Sequence, residues 1–233
     1  MRTVDLIEAL RTTGAVREFE RRSVSHEVLA RVLDTARFAP NGGNQQSWHV
    51  ILVEDPALRA AVRDLYLPAW LDYLAQRAAG LQPWAPIGDR TAESEAISSG
   101  TGPDGVELRP GSFAEHFDEI PVMAVIVADL RCIAAMDRDL DRYTLVGGAS
   151  VYPFVWSILL AARAEGLGGV VTTVNVVHED ALKDLLHVPP EFAVAAVLAL
   201  GYPVRQPTRL RRDAVDTFAT VDTFGGRVLP GPG

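Results

Sequence analysis

The chain has 233 residues, 48% of them hydrophobic, with 22 basic and 30 acidic side chains and a formal charge of −8. That length and apolar content predict one large domain with a sizeable core and leave little room for two. The acidic balance argues against nucleic acid or an anionic membrane as the main partner, since both demand a broad basic surface.

Cys132 is the only cysteine, which leaves no internal disulfide framework and no all-cysteine metal site, and suits a reducing cytoplasm. Arg2, Asp5 and Glu8 interrupt Met1 to Leu10, so an uninterrupted secretory apolar region is not expected there. The longest apolar run, Ala193 to Leu200, is far short of the roughly 20 residues a bilayer span needs.

In chain order, Leu6, Ile7 and Leu10 predict a first helix over Val4 to Arg11, capped by Thr3 and ended by Gly14. Ser25 is placed to cap a second, with Val28, Leu29, Val32, Leu33 and Ala36 as its stripe and Pro40 as its stop. The loop Asn41-Gly42-Gly43-Asn44 tolerates left-handed backbone and leads to a strand from His49 to Val53. Asp55 and Pro56 start a helix expected to run to Ala79 with a kink at Pro68.

From Gly80 to Ser112 the pattern breaks down. Pro83, Pro86, Pro103 and Pro110 lie among glycines, serines and acids, so an insertion or lid is expected over about 80–112. A strand from Val122 to Val127 follows, then a helix from about Ala149 to Glu165 closed by Gly166. Val170 to Val177 is β-rich, Ala181 to Leu186 reads as a short helix, and Ala193 to Leu200 as a buried strand. Strands interleaved with helices predict mixed layers around one sheet. After Gly201 comes an arm of about 205–233, which either crosses onto a partner subunit or lies on its own domain.

The glycine pattern from Gly100 to Gly105 is not a dinucleotide loop, because no strand precedes it and Pro103 removes a phosphate-facing amide. His26, His49, His116, His178 and His187 lack paired-ligand spacing, so no metal site is expected. No Gly-x-Ser-x-Gly elbow is present, and Cys132 has no evident base. The informative stretch is Ala39 to Trp48, where glycines allow close approach and carboxamides offer both donor and acceptor to a planar polar ligand. On pattern alone a well-bonded turn is the favoured explanation, because Asn and Gly are ordinary turn residues. Arg17, Arg209, Arg211 and Arg212 are candidate phosphate forks, although arginine fills almost every basic position here.

Taken together, Arg17-Glu18-Phe19, the run Ala39 to Trp48, Ala164-Glu165-Gly166-Leu167-Gly168, and Leu200-Gly201-Tyr202-Pro203 with the arginines beyond resemble the nitroreductase family in order and spacing. The resemblance implies an α+β fold, with a mixed four- or five-stranded sheet wrapped by helices, and an intertwined homodimer binding FMN at its interface. It places Arg17 and two of Arg209, Arg211 and Arg212 at the phosphate or ribityl chain. Pro40, Asn41, Asn44 and Gln46 would line the flavin, partly from the partner subunit, and Thr172 and Thr173 would face its N5 edge. Relatives carry an arginine where this chain has Gly14, a proline at Ser47, and in some cases a glutamate at Thr173.

The activity so implied is transfer of hydride from NADH or NADPH through flavin N5 to a nitroaromatic or quinone. The flavin carries the chemistry, so no catalytic side chain is expected, with Thr173 as a possible donor. Two other readings stay open: a flavin carrier or sensor without efficient turnover, motivated by Gly14, and a specialised member acting on one metabolite.

Overall fold

The computed structural model describes residues 4–100, 109 and 111–231. At its centre two long strands, β2 (Val122–Asp129) and β4 (Phe192–Gly201), pair antiparallel. Strand β1 (Trp48–Leu52) adds to β2 and β3 (Gly168–Thr172) to β4, giving the order β1-β2-β4-β3. All three pairings are antiparallel, and among the described residues parallel pairing is confined to one bridge from Ala15 to Gly169 beside β3.

Strand β2 sends Val122, Ala124, Ile126 and Ala128 to one face and Met123, Val125 and Val127 to the other. Both faces are covered, which is why these strands read as unbroken apolar runs. The register slips where Ile126 faces Ala196 and Val127 faces Val194. Ala195 is therefore the extra residue of a bulge, and Val194 turns to the face opposite Ala196.

Helices α2 (His26–Ala36) and α6 (Tyr152–Ala164) cover one face, bringing Leu29, Val32 and Ala36 against Phe154, Ile158 and Ala162. Helix α3 (Pro56–Ala78) and α7 (Glu179–Leu185) cover the other with Val62, Tyr66 and Leu182. Val146–Ala164, a 3-10 turn running into α6, is long and apolar enough for a bilayer span, yet Phe154, Val155, Ile158 and Leu159 lie in the core.

Several local expectations are corrected. The first helix, α1 (Leu6–Thr12), is capped by Asp5, whose carboxylate accepts from Ile7 N and Glu8 N; Thr3 lies outside the described residues. A carboxylate there both fills the free amides and meets the positive end of the helix dipole. Ser25 occupies the cap position of α2, but its hydroxyl makes no capping bond. Helix α3 has the extent expected, running 23 residues through Pro68, which is exposed. Strand β3 stops at Thr172, and Val174–His178 form a 3-10 turn whose Val174 and Val176 pack on the second core instead of extending the sheet.

The stretch read as lacking pattern holds a helix, α4 (Arg90–Ser99). Asp89 caps it by accepting from Thr91 N and Ala92 N, and Gly100 ends it in the left-handed conformation at φ 59°. Its apolar face is little more than Ala96 and Ile97, too thin for a periodic signal. Helix α5 (Ser112–Glu115) leads into β2. Apart from Gly100, the glycine motif Gly100 to Gly105 lies outside the described residues.

Leu198 is fully buried between the sheet and the α2–α6 layer. Leu198→Ala is expected to cost about 2–5 kcal/mol in guanidinium unfolding. Ile87→Ala, at a side chain 97% exposed, is expected to change stability by less than about 0.5 kcal/mol.

Candidate functional site

The outer edge of β3 positions the first group of residues. Val16 N donates to Gly169 O at 2.9 Å, Glu20 N to Tyr202 O at 2.8 Å and Val204 N to Glu18 O at 3.1 Å. The segment around Arg17 is thus clamped between β3 and the chain leaving β4. The clamp needs glycine: a Cβ on Gly168 would stand 2.8 Å from Val16 Cγ2, and one on Gly169 would stand 2.6 Å from Ala199 O.

Arg17 is exposed, and its guanidinium carbon lies 5.9 Å from the Phe113 ring centre. It opens onto a cleft of about 1430 Å³ shared with Arg21, Arg59, Trp70 and Phe113. Tyr66 lies close to both Arg17 and Thr172. Burial pushes its phenol up to about 12, against smaller opposing effects of the Thr172 hydroxyl and the Arg17 charge. Arg17 and Thr172 therefore belong to one neighbourhood. Thr172 is buried and its hydroxyl accepts from Val174 N at 3.3 Å, whereas Thr173 is exposed.

The carboxamide turn forms a second group. Asn41 Oδ1 accepts from Gln46 N at 2.9 Å and Asn41 Nδ2 donates to Ala39 O at 3.2 Å, so this side chain is committed to closing the turn. Gly43, Asn44 and Gln46 all take left-handed backbone, with φ of 60°, 55° and 48°. Such a conformation costs a glutamine roughly 1 kcal/mol, and residues held this way cluster at ligand sites. Pro40, Asn44 and Gln46 are exposed.

Behind the turn, Gly42 N donates to Ser150 Oγ at 3.1 Å. The loop leading to Ser150 is knotted by buried Asp137, which accepts from Leu145 N at 2.6 Å, Val146 N at 3.1 Å and Arg142 Nη1 at 2.8 Å. The Leu145 amide, helped by Val146 and Arg142, holds this carboxyl down at about 2 although desolvation pushes the other way.

The third group lies on the tail. Gln206 Nε2 donates to Thr12 O at 3.2 Å, and a Cβ on Gly14 would stand 2.5 Å from Leu210 Cδ2 and 3.4 Å from Pro207 Cγ. The first part of the tail therefore lies on its own domain. It carries Arg209 and Arg212 to a pocket of about 480 Å³ shared with Leu10 and Arg11. Arg211 does not line that pocket, and its carbonyl accepts from Arg212 Nη1 at 2.7 Å. Farther along, Val221 N bonds Arg227 O and Leu229 N bonds Ala219 O, so this stretch folds back on itself. Arg11 was not singled out by its sequence, where it reads as an ordinary polar position on a short helix.

The structure thus gathers the sequence candidates into three places: Arg17 with Thr172 and Thr173, the turn from Pro40 to Gln46, and Arg209 with Arg212. An antiparallel sheet enclosed by helices, with the N-terminal segment clamped to its β3 edge, is a nitroreductase-like α+β architecture. In fold it matches iodotyrosine deiodinase bound to FMN and 3-iodo-L-tyrosine, with a TM-score of 0.65 at 20% identity over 94% of this chain and 100% of that one. The Nitroreductase family model matches residues 10–202, and the chain belongs to that family. It is similar to 5,6-dimethylbenzimidazole synthase of Rhodobacter capsulatus, 31% identical over 85% of this chain and 83% of the relative. It is also similar to NADH dehydrogenase of Thermus thermophilus, 26% identical over 82% of this chain and 83% of the relative.

The Asp137 knot makes a pH prediction. Its folded-state value lies below the ordinary 3.8, so the stability it contributes is present above about pH 4 and is lost as pH falls toward about 2. Asp137→Ala is expected to lower the melting temperature at pH 7. The gap between variant and parent should close in thermal melts taken from pH 4 down to pH 2.

Proposed function

We propose that this chain is an FMN-dependent oxidoreductase that works as a homodimer in the cytoplasm. On this reading it takes electrons from NADH or NADPH and passes them to an electron-poor small molecule such as a nitroaromatic or quinone. Family membership supports the reading, together with the NADH dehydrogenase relative and the FMN carried by a protein of the same fold.

The observation that carries it is the separation of the three groups. Each suits part of a phosphorylated planar ligand, and each stands on a surface with apolar side chains left open. Phe38 beside the turn is 75% exposed, Val204 bonded to the Arg17 segment 61% and Leu6 on α1 64%, while Phe224 on the tail has no cover at all. A second copy that brings the turn of one chain toward Arg17 and Thr173 of the other both completes the site and buries this surface.

The residues present fit FMN. Permanent guanidinium charge at Arg17, Arg209 and Arg212 suits a phosphate and an anionic ring edge. The exposed carboxamides of Asn44 and Gln46 offer donors and acceptors to the ring, with Pro40 as a flat apolar neighbour. Asn41 acts through the turn it closes, and Thr172 through its backbone, since its hydroxyl is turned inward.

Bound FMN supplies the redox chemistry, and the protein supplies position and electrostatics. Arg17 favours negative charge developing beside it, and Thr173 presents a hydroxyl at the end of β3. Tyr66, buried beside Thr172, stays protonated at neutral pH. The segment over about 80–112 sets the size of acceptor admitted. A second reading, a specialised member acting on one metabolite, draws support from the 31% identity to a 5,6-dimethylbenzimidazole synthase.

The test is to purify the chain, record its visible spectrum, release the ligand by heat and weigh it, then follow NAD(P)H oxidation with and without a nitroaromatic or quinone. A yellow protein that releases FMN and oxidises NAD(P)H faster with acceptor is expected. A colourless protein that refuses FMN overturns the cofactor. Bound flavin that NAD(P)H does not reduce overturns the reductase reading in favour of a carrier, sensor or specialised enzyme.

A further inference from the structure

The pocket beside α1 holds three arginines and no acid. Arg11 reaches it from the last turn of α1, while Arg209 and Arg212 come from the tail, and Leu10, Thr208 and Leu210 complete the lining. None of the three arginines has a carboxylate partner among the described residues, whereas Arg31, Arg63, Arg131 and Arg142 each pair with an acid. Three permanent like charges around one small concavity repel one another, and an anion is the group that relieves the repulsion.

The same place explains the missing arginine. Leu210 Cδ2 fills the space a side chain on Gly14 would need, so Gly14 and Leu210 form a matched pair and no cation can project from position 14 without displacing the leucine. Charge is delivered instead from one turn earlier on α1 and from the residues flanking Leu210. We infer that Arg11, with Arg209 and Arg212, binds the terminal phosphate of the flavin and replaces the arginine absent at Gly14. This rests on the FMN reading above. It also selects Arg209 and Arg212, not Arg211, as the tail residues that take part. A phosphomonoester carries close to two negative charges at neutral pH and accepts forked hydrogen bonds from several guanidinium groups at once. The 2′-phosphate of NADPH has the same chemistry, so the test has to separate the two.

The experiment measures binding of FMN and of riboflavin, which lacks the phosphate, to the full chain freed of flavin, by quenching of flavin fluorescence. The parent is expected to prefer FMN. Arg11→Gln is expected to weaken FMN by about tenfold or more, leave riboflavin unchanged and flatten the salt dependence. Arg11→Lys, which keeps the charge but not the fork, is expected to fall between. An Arg11→Gln variant that keeps the full FMN preference overturns the inference, as does one that loses both flavins equally. A changed NADPH-to-NADH preference with FMN affinity intact assigns the pocket to the dinucleotide and overturns it as well. A parent that binds neither flavin brings down the FMN reading itself.

Discussion

The close approach of the chain at Val16 to the paired glycines of β3 is the contact on which the arrangement depends. Gly168 and Gly169 leave no room for side chains there, and Val16 N takes Gly169 O as its partner. An exposed strand edge is thereby covered. The same contact fixes where Arg17 stands, above Tyr66 and Thr172, and it brings Gly14 to the place where the returning tail inserts Leu210. Sheet edge, candidate anion sites and tail are set by one local fit.

Elements with a strong period were legible in the sequence. The apolar runs of β2 and β4 and the stripes of α2 and α6 came through because a covered sheet and a packed helix each demand a regular pattern. Helix α4 was not legible, since its buried residues are Ala96 and the charged Glu93 and it is specified by its ends, Asp89 and Gly100. Val174 and Val176 misled in the opposite direction, because β-branched residues also serve a tight turn packed on a core.

The candidate site was legible as residue types and not as geometry. Glycine and asparagine announced the turn at Gly43 and Asn44, but nothing in the sequence marks the left-handed backbone of Gln46 or the commitment of Asn41 to its own loop. The Gly14–Leu210 pair joins opposite ends of the chain, and Arg11 acquires meaning only from that pairing. Family resemblance supplied the candidate residues, and one chain holds them in three places.

That separation is what a shared site requires in a chain whose proposed cofactor carries the reaction. Native mass spectrometry of the freshly purified protein tests this most directly. The account predicts a mass of two chains carrying two FMN molecules, with flavin lost when the chains separate. A single chain that retains a full complement of FMN would contradict it.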